Sequence, residues 1–335
     1  MRYDYLIFIG RFQPFHLGHQ SVVKQALEQS DKVIILVGSP YSPRTVRNPW
    51  DFNEREKFIR TSFNSQDNRR ILILPVMDNI YNEAAWIRSV QQIVQGVIHA
   101  KIASKPTIGL IGHQKDESSY YLNQFPQWQR LEATNYNNIN STDIREAYFR
   151  GDEYKDGLSN NVAKLLEEFK KSKHYENVAK EYMFIKEYKK GWECAPYEPT
   201  FVTVDAVVVQ SGHILLVKRK AYPGKGLMAL PGGFVSPKEK LDDAVIRELR
   251  EETKIKVPSA VLRGSIRKKE VFDDPYRSLR GRTITHAYLI ELNDGKLPKV
   301  KGGDDAQKAK WVAFADIKPE MMFEDHYHII EAMLG

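Results

Sequence analysis

The first half of the chain alternates short apolar runs with stretches of helical periodicity. The apolar runs are nearly continuous and cover residues 5–10, 32–38, 70–76 and 107–113. Runs of that kind form strands when both faces of a sheet are covered. The stretches of helical spacing lie between these runs and cover residues 19–30, 53–63 and 82–98. This order predicts an α/β fold with a parallel sheet, right-handed crossovers and a ligand site at the carboxyl ends of its strands.

The second half has a different character, which predicts a linker and another domain. Residues 159–172 and 175–190 are charged and helical in spacing, and the segment after them has two prolines and no periodicity. One clear helix, at 241–254, and several β-rich segments follow; the β-rich segments are 200–210, 213–220, 285–292 and 310–314. We therefore expect three parts, namely a first domain with C-terminal helices at 1–183, a linker at 184–199 and an α+β domain at 200–335.

Composition narrows the class of protein. The 335 residues leave room for two domains of roughly 100–200 residues each. The hydrophobic fraction of 42% and the charged fraction of 28% exclude wholesale disorder. The single cysteine, Cys194, excludes an internal disulfide framework and fits a reducing cytoplasm. The N-terminus lacks the layout of a signal peptide, and no apolar run reaches the roughly 20 residues that span a bilayer. We predict a cytoplasmic protein with no membrane partner.

The formal net charge of +7 indicates anionic ligands. The basic residues are scattered in short clusters and form no long basic arm, which favours polyanionic small molecules over nucleic acid. We expect small-molecule partners, no nucleic acid, and a homo-oligomer.

The loop after the first predicted strand reads GRFQPFHLGH and covers residues 10–19. Gly10 permits backbone conformations that a residue with a Cβ resists, and a helix begins near His19. A helix N-terminus offers unpaired N–H groups and the positive end of the dipole to a phosphate. His16 and His19 could both point towards that end, while Gly18 keeps Cβ bulk away from the phosphate. The alternative is that two surface histidines happen to fall at a helix start.

A second helix start, within residues 139–149, has similar features. Ser141 and Thr142 stand at its beginning, and Arg145 follows one turn later. Hydroxyl groups, helix N–H groups and an arginine all favour phosphate. The alternative is a capped helix with an exposed arginine.

Together, H-x-G-H in the early loop and S-T-x-I-R in the late helix resemble the nucleotidylyltransferase superfamily. The fuller GRFQPFHLGH looks like nicotinamide-mononucleotide adenylyltransferases of archaeal type, which implies a Rossmann-like fold over roughly residues 1–150. The implied reaction joins ATP to nicotinamide mononucleotide (NMN) and gives NAD and pyrophosphate. The resemblance assigns the ATP phosphates to the catalytic residues His16, His19 and Arg145, and Mg²⁺ would neutralise the triphosphate. The other ATP-binding residues that it implies are Gly10, Arg11, Phe12, Gly18, Ser141 and Thr142.

The resemblance also implies an acceptor site after the second and third strands. Arg47 and Asn48 would bind the phosphate of NMN, Asn82 would lie near the carboxamide, and Trp86 would stack on the nicotinamide ring. The alternative for Trp86 is a core position beside the apolar stripe of its helix. Two residues after the fourth strand would line the adenosine side, namely His113 and Asp116. A different acceptor, such as nicotinic acid mononucleotide, is an alternative for the whole site.

The helix at 241–254 carries three carboxylates on one face. Glu248, Glu251 and Glu252 occupy positions i, i+3 and i+4. Like charges so arranged repel one another, and a set of hard oxygen ligands for Mg²⁺ is a good reason to tolerate that repulsion. The alternative is a solvated acidic face that neighbouring arginines balance.

The spacing around this helix favours the metal site. From Gly233 onwards the sequence resembles the Nudix box, G-x5-E-x7-R-E-U-x-E-E-x-G-U with U a bulky aliphatic residue, except that Lys254 replaces the last glycine. A left-handed conformation is often wanted at that position, where a lysine costs on the order of 1 kcal/mol. The resemblance implies Mg²⁺ or Mn²⁺ on the three glutamates and the Gly233 carbonyl. The box residues that it implies are Gly233, Glu239, Arg247, Glu248, Glu251 and Glu252.

Residues outside the box would select the Nudix substrate. Tyr276, Arg277, Arg280 and Arg282 are crowded together, which suits a phosphate-rich nucleotide, although an exposed basic hairpin is the alternative. The two halves together resemble bacterial bifunctional NMN adenylyltransferase/Nudix proteins. That resemblance implies hydrolysis of ADP-ribose to AMP and ribose 5-phosphate. A non-catalytic ADP-ribose sensor that controls transcription is the alternative for the Nudix half.

Overall fold

The computed structural model describes residues 2–99, 106–113, 122–134, 136–303 and 306–335. The chain divides into two units, residues 1–179 and 180–335. No helix in these described ranges is long and apolar enough to cross a membrane.

A five-stranded sheet and the helices around it make up the first unit. The strands are β1 (Tyr3–Gly10), β2 (Ser30–Gly38), β3 (Ile71–Val76), β4 (Ile108–Gly112) and β5 (Gln129–Glu132). The helices are α1 (Leu17–Gln29), α2 (Phe52–Thr61), α3 (Ser65–Asn68), α4 (Glu83–His99), α5 (Ser141–Arg150), α6 (Asn160–Phe169) and α7 (Lys173–Lys190), the last of which continues into the second unit. The strand order is β3-β2-β1-β4-β5, and every neighbouring pair is parallel. The prediction of an α/β fold with a parallel sheet is therefore confirmed.

The sequence predicts four of these strands and misses β5. Because β5 is an edge strand whose Gln129, Arg130 and Glu132 are exposed, it lacks the continuous apolar pattern of the others. The register aligns the carboxyl ends of β1, β2 and β3, since Gly10 pairs with Val37 and Gly38 pairs with Val76. The loops that carry the first set of candidate residues leave the sheet from this edge.

Helix α4 supplies much of the core of the first unit. Val90, Val94 and Ile98 recur at every fourth position, are buried, and belong to one hydrophobic cluster with Ile34 and Leu36 of the sheet. The periodicity predicted for this helix therefore reflects packing against the sheet.

Helix α7 corrects the expected start of the linker. The helix continues to Lys190, so the segment expected as a linker from residue 184 begins inside it. Glu181 and Ile185, one turn apart, are both buried, which explains why the helix does not end earlier. The carboxylate of Glu181 accepts a hydrogen bond from the backbone N–H of Gly224 at 2.8 Å. Only residues 191–199 of the expected linker lack helix and strand.

A mixed sheet forms the centre of the second unit. Its strands are β6 (Phe201–Gln210), β7 (His213–Arg219), β8 (Met228–Ala229), β9 (Gly232–Phe234), β10 (Ile266–Phe272), β11 (Thr283–Glu291) and β12 (Ala306–Ala313). Its helices are α8 (Leu241–Thr253), α9 (Ser259–Gly264) and α10 (His326–Leu334). The main order is β10-β11-β6-β7-β12, with β8 paired to β7 and β9 paired to β6. Strands β6 and β11 are parallel, and the other pairs are antiparallel. This arrangement confirms the α+β prediction, although β8, β9, β10, α9 and α10 were not predicted.

One face of α8 packs on this sheet. Ala244, Val245 and Leu249 are buried in a cluster with Val204 and Ala206 of β6. Glu248 and Glu252 stand three or four residues from these positions on the same side of the helix, so the fold holds their carboxylates against the sheet.

Candidate active sites

His16 and His19 cap each other at the start of α1. The backbone N–H of His19 donates to Nδ1 of His16, and the N–H of His16 donates to Nδ1 of His19, both at 3.3 Å. The two rings stack with their centroids 3.6 Å apart. Because each Nδ1 accepts a hydrogen bond, the proton of each neutral ring lies on Nε2, from which it can donate to a phosphate oxygen. The three-residue spacing is thus that of a capping box.

Glycines allow the loop before this helix to fold tightly. A Cβ on Gly10 would lie 2.8 Å from the ring of Phe12, which is buried and has a left-handed φ of 54°. The Phe12 ring meets the His19 ring edge-on, with centroids 5.0 Å apart. A Cβ on Gly18 would lie 3.0 Å from the His16 ring. Both glycines therefore leave space that aromatic rings of the same loop use.

Arg145 joins the late motif to the early loop. Its Nη1 donates to the carbonyl of Gln13 at 2.6 Å, and its Nη2 donates to Oγ1 of Thr142 at 3.1 Å. The hydroxyl of Ser141 donates to the carbonyl of Pro14 at 3.4 Å. The structure therefore brings together the two motifs that the sequence places far apart. The N-cap of α5 is Asn140, whose side chain accepts from the N–H of Thr142.

A group of arginines lies at this edge of the sheet. Burial, and then the positive charges of Arg47 and Arg145, lower the pKa of Arg11 to about 9, while Asp78 opposes the shift. Nη1 of Arg11 is buried and has no hydrogen-bond partner among the described residues. Buried cations that repel one another are stabilised by a bound polyanion. The geometry therefore fits a phosphate group beside Arg11.

Arg55 belongs to this site and was not predicted. Its Nη1 donates to the carbonyls of Arg11 and Gly38, both at 2.7 Å, and its Nη2 donates to the carbonyl of Ser39 at 2.9 Å. The side chain is fully buried, and burial lowers its pKa to about 10. Arg55 thus ties the loop after β1 to the end of β2. The signal was present in the sequence, because Arg55 shares a helical face with the apolar Phe58 and Ile59.

The predicted acceptor residues divide into two kinds. Arg47 is close enough to influence Arg11, and Oδ1 of Asn48 is buried with no hydrogen-bond partner among the described residues. In contrast, Oδ1 of Asn82 accepts from the N–H of Ala85 at 3.0 Å, at the start of α4. The ring of Trp86 is half-buried against the core, with its centroid 5.8 Å from that of Phe125. These contacts give Asn82 and Trp86 structural roles, and their roles towards NMN stay predictions. His113 is half-buried after β4, whereas Asp116 lies outside the described residues.

In the second unit, Arg247 gathers three of the predicted carboxylates. Its guanidinium donates to Glu239 at 2.6 and 2.9 Å, to Glu248 at 2.7 Å and to Glu251 at 2.9 Å. The hydrogen bonds that Glu239 accepts from Arg247 lower the pKa of Glu239 to about 2, and the hydrogen bond from the N–H of Ser236 adds to this shift. Arg247 therefore holds Glu239, Glu248 and Glu251 together, and its role in orienting metal ligands stays a prediction.

Glu252 and Glu248 lie against the backbone of β9. The N–H of Gly232 donates to Oε2 of Glu252 at 3.0 Å. A Cβ on Gly233 would lie 2.7 Å from Oε1 of Glu248, so a larger residue here would displace this carboxylate. Burial raises the pKa of Glu252 to about 8, and the nearby charge of Glu248 adds to the shift. Burial also raises the pKa of Glu248, although Arg247 opposes this.

These residues fit a divalent cation. Buried carboxylates with raised pKa values gain from a nearby positive charge, and carboxylate oxygens are the ligands that hard cations prefer. Among the described residues no group of three or more His, Cys, Asp or Glu side chains is arranged to hold a metal ion. The reason is local, since Arg247 draws Glu248 and Glu251 towards itself. The assignment of the ligands stays a prediction.

Lys254 adopts the conformation of the glycine that it replaces. It is the C-cap of α8 with φ 47° and ψ 32°, and its N–H donates to the carbonyl of Arg250 at 2.9 Å. The left-handed helix end of the box is therefore kept at some cost in strain.

The residues predicted to bind ADP-ribose lie in different surroundings, and their role towards ADP-ribose stays a prediction. Arg277 is buried and forms two hydrogen bonds with Asp325, at 2.8 and 2.9 Å. Arg282 binds Asp273 within its own loop, and Tyr276 is 64% exposed. Arg280 is the member that lies near the box. Its guanidinium carbon is 5.4 Å from the centroid of the Phe234 ring, next to Gly233 in the chain, and its Nη2 is 3.6 Å from Glu324.

Arg219 is another cation of this region and was not predicted. Its guanidinium lies 3.9 Å from the centroid of the Phe323 ring, and its Nε donates to the carbonyl of Pro223 at 2.9 Å. Burial lowers the pKa of Arg219, although the charges of Glu324 and Glu252 oppose this. No motif marks Arg219, because its place beside Glu252 arises only when β7 joins the sheet.

Comparison with known proteins agrees with both halves. Residues 7–147 match the Cytidylyltransferase-like family, and residues 199–333 match the NUDIX domain family. The fold and the two sites define a protein that combines a nucleotidylyltransferase with a Nudix hydrolase.

Similar proteins are known for each half and for the whole chain. A nicotinamide/nicotinic acid mononucleotide adenylyltransferase from Acinetobacter baylyi is 38% identical over 182 residues, which are 54% of this chain and 94% of that protein. An ADP-ribose pyrophosphatase from Methanocaldococcus jannaschii is 38% identical over 130 residues, which are 39% of this chain and 70% of that protein. A crystal structure of a bifunctional NMN adenylyltransferase/ADP ribose pyrophosphatase from Francisella tularensis, complexed with AMP and Mn ion, is 39% identical with a TM-score of 0.93. The match covers 99% of this chain and 98% of the chain in that crystal structure. The chain belongs to this family of bifunctional NMN adenylyltransferase/ADP-ribose pyrophosphatases.

Proposed function

We propose that the chain catalyses two reactions of NAD metabolism. The first unit transfers the adenylyl group of ATP to NMN, which gives NAD and pyrophosphate. The second unit hydrolyses ADP-ribose to AMP and ribose 5-phosphate. The observation that carries the proposal is that both residue sets are intact in one chain that matches a bifunctional relative over 99% of its length.

In the first reaction the phosphate of NMN attacks the α-phosphorus of ATP, and pyrophosphate leaves. The rings of His16 and His19 donate from Nε2 to phosphate oxygens, and Arg145 and Arg11 balance the negative charge that develops. Arg47 and Asn48 hold the phosphate of NMN on the same edge of the sheet. This chemistry needs positioning and charge, and it needs no covalent intermediate. Support comes from Arg11 and Arg145, whose buried guanidinium groups lie near other positive charges and would gain from a bound anion.

In the second reaction water attacks the diphosphate of ADP-ribose, and one phosphate leaves on each product. The carboxylates of Glu248, Glu251 and Glu252, with the carbonyl of Gly233, would hold a divalent cation, for which we propose Mg²⁺. When bound, the cation polarises the diphosphate and lowers the pKa of the attacking water. Arg247 keeps Glu248 and Glu251 in place, as its hydrogen bonds indicate.

We extend the proposal to the setting of the enzyme. The one cysteine, Cys194, is free and exposed. Since free thiols are typical of a reducing compartment, we propose that the enzyme is cytoplasmic. We also propose a homo-oligomer, which gel filtration with light scattering would test.

A substrate panel on the intact chain with Mg²⁺ tests both activities. We expect pyrophosphate and NAD from ATP with NMN, and AMP from ADP-ribose, each followed by chromatography. Nicotinic acid mononucleotide in place of NMN tests the alternative acceptor. No pyrophosphate with NMN would overturn the first half of the proposal, and binding of ADP-ribose without release of AMP would favour a sensor.

A further inference from the structure

The side chain of Gln13, in the loop after β1, forms two hydrogen bonds with one backbone position far away in the chain. Its Nε2 donates to the carbonyl of Trp50 at 2.8 Å, and its Oε1 accepts from the backbone N–H of Trp50 at 3.1 Å. Both residues are only 1% exposed. An amide that pairs in this way with a buried backbone unit supplies the two contacts that a neighbouring strand would supply. Gln13 therefore ties the loop after β1 to residue 50.

Trp50 is a fixed point for this tie. Its ring meets the rings of Phe58, Tyr148 and Phe169, with the centroids 5.7, 5.7 and 5.9 Å away. These three rings belong to α2, α5 and α6, and α5 is the helix that carries Arg145. A residue packed against three helices has little freedom to move, because protein interiors are closely packed. The backbone unit that Gln13 binds is thus held firmly by the core of the first unit.

The predicted acceptor residues lie directly before Trp50, in residues 44–50, which we call the acceptor turn. The N–H of Thr45 donates to the carbonyl of Asn48 at 3.2 Å, and the N–H of Asn48 donates to the carbonyl of Thr45 at 3.1 Å. Nη1 of Arg44 donates to the carbonyl of Pro49 at 2.8 Å. The acceptor turn therefore keeps its shape through contacts of its own. Its place relative to the loop after β1 depends on contacts such as the one at Trp50.

The loop after β1 is also held by contacts that do not involve the Gln13 amide. Its backbone carbonyls accept hydrogen bonds from three side chains, namely Arg55 at 2.7 Å, Arg145 at 2.6 Å and Ser141 at 3.4 Å. Arg55 also donates to the carbonyl of Asp51 at 3.1 Å, so the start of α2 is held independently. Without the Gln13 amide, the loop and the start of α2 therefore keep these contacts, while the acceptor turn gains freedom relative to the loop.

We propose that Gln13 is a positioning residue that sets the distance between the acceptor turn, which carries Arg47 and Asn48, and the loop after β1. The inference rests on the proposed adenylyl transfer and adds the residue that joins its two binding sites. In that reaction the attacking phosphate must lie in line with the α-phosphorus of ATP, and a misplacement of about 1 Å can cost about a hundredfold in rate. A tie between two sites that each keep their shape governs the rate of the joint reaction and leaves the affinity of each site unchanged.

Gln13→Met tests this separation of rate and affinity, because methionine has a similar length and forms neither hydrogen bond. We expect the kcat of NAD synthesis by the intact chain to fall about tenfold to a hundredfold. The KM of NMN, and the dissociation constant of ATP measured by titration calorimetry with Mg²⁺, should stay within about twofold of the wild type. ADP-ribose hydrolysis by the same sample should be unchanged, which reports on the second unit.

Gln25→Met is the matched control. Oε1 of Gln25, on α1, accepts from the backbone N–H of Thr134 at 3.0 Å, so this change also removes a bond between a glutamine amide and a distant backbone group. Thr134 follows the edge strand β5, which lies three strands away from β2, the strand that precedes the acceptor turn. We expect the kcat of NAD synthesis to stay within about twofold in Gln25→Met.

Gln13→Asn provides a milder change, because it keeps an amide that is too short to reach both atoms of Trp50. We expect a smaller fall in kcat at the same affinities for ATP and NMN. Where circular dichroism shows that Gln13→Met does not fold, Gln13→Asn alone decides by the same criteria.

Three results would overturn the inference. The first is an unchanged kcat in the Gln13 variants, and the second is an equal fall of kcat in Gln25→Met. The third is a loss of affinity for ATP or NMN as large as the loss of kcat, since that pattern reports damage to one binding site. A wild-type chain that makes no NAD overturns the proposed adenylyl transfer and this inference with it. An active wild type with equally active Gln13 variants overturns this inference alone, so the two failures are distinguishable.

Discussion

The Nδ1 atoms of His16 and His19 each accept a hydrogen bond from the backbone N–H of the other residue, at 3.3 Å. One pair of side chains thus caps a helix and fixes the ring nitrogens that face away from the cap. The cap and the proposed phosphate contact are therefore separate uses of the same two rings, and the phosphate contact can be removed while the cap is kept.

Replacing His19 tests this separation. His19→Ala should lower NAD synthesis by about a hundredfold or more, since a donor to the developing negative charge is lost. His19→Gln is the matched control, because glutamine at this position can restore the capping box while lacking Nε2 of the ring. We expect His19→Gln to recover the thermal stability and not the synthesis of NAD. ADP-ribose hydrolysis should be unaffected in both variants, and its loss would contradict two independent sites.

Arg55→Met tests the buried guanidinium at the sheet edge. The carbonyls of Arg11, Gly38 and Ser39 would lose their donors, so we expect the free energy of unfolding of the first unit to fall by roughly 2–4 kcal/mol. NAD synthesis should fall with it, while ADP-ribose hydrolysis stays. Lys57→Met on the exposed side of the same helix is the control and should leave stability within about 0.5 kcal/mol. Calorimetry of the intact chain gives both values, and equal effects of the two changes would refute a special role for Arg55.

Glu252→Gln tests the metal-binding assignment. The amide oxygen of glutamine can still accept the hydrogen bond from Gly232, but the charge that holds a cation is gone. We expect ADP-ribose hydrolysis to fall by about a hundredfold or more and NAD synthesis to remain. The exposed Glu291→Gln on β11 is the control and should be fully active. Chelation by EDTA should abolish hydrolysis in the wild type, with recovery on adding Mg²⁺ or Mn²⁺; hydrolysis that survives both changes would exclude the ligand role.

Lys254→Gly tests the strain at the end of α8. Lysine at φ 47° is in a conformation that costs L-residues about 1 kcal/mol, and part of the relief is offset because glycine makes the unfolded chain more flexible. We expect the free energy of unfolding to rise by about 0.5 kcal/mol. Ser265→Gly, at the end of α9 where φ is −93°, has no such strain to relieve and should lower the stability. A loss of stability in Lys254→Gly would mean that the lysine side chain makes contacts worth more than the strain.

The elements that the sequence predicted correctly are those in which one residue pattern has one physical cause. The apolar runs of β1 to β4 were readable because both faces of those strands are covered, whereas the polar edge strand β5 had no such pattern. The Nudix box was readable because spacing along one helix decides which carboxylates share a face. Strand β9, with only three residues, is too short to show a period, although it carries Gly233 and Phe234.

The arginines of the second unit show what sequence cannot decide. Arg277 and Arg280 are three residues apart and look alike in the sequence. The structure buries Arg277 against Asp325 and leaves Arg280 over the ring of Phe234. The difference arises because the fold places the carboxylate of Asp325, 48 positions away in the chain, beside Arg277. Local spacing holds no information about it.

The passage of α7 from one unit into the other bears on where the chain can be divided. The NUDIX family match begins at residue 199, but the structural unit begins at residue 180. The end of α7 contributes Glu181, whose carboxylate binds the N–H of Gly224 within that unit. A fragment of residues 199–333 alone would not contain this contact. The structural unit is therefore longer than the family match, and a fragment that begins at residue 199 would lack the partner of the Gly224 N–H.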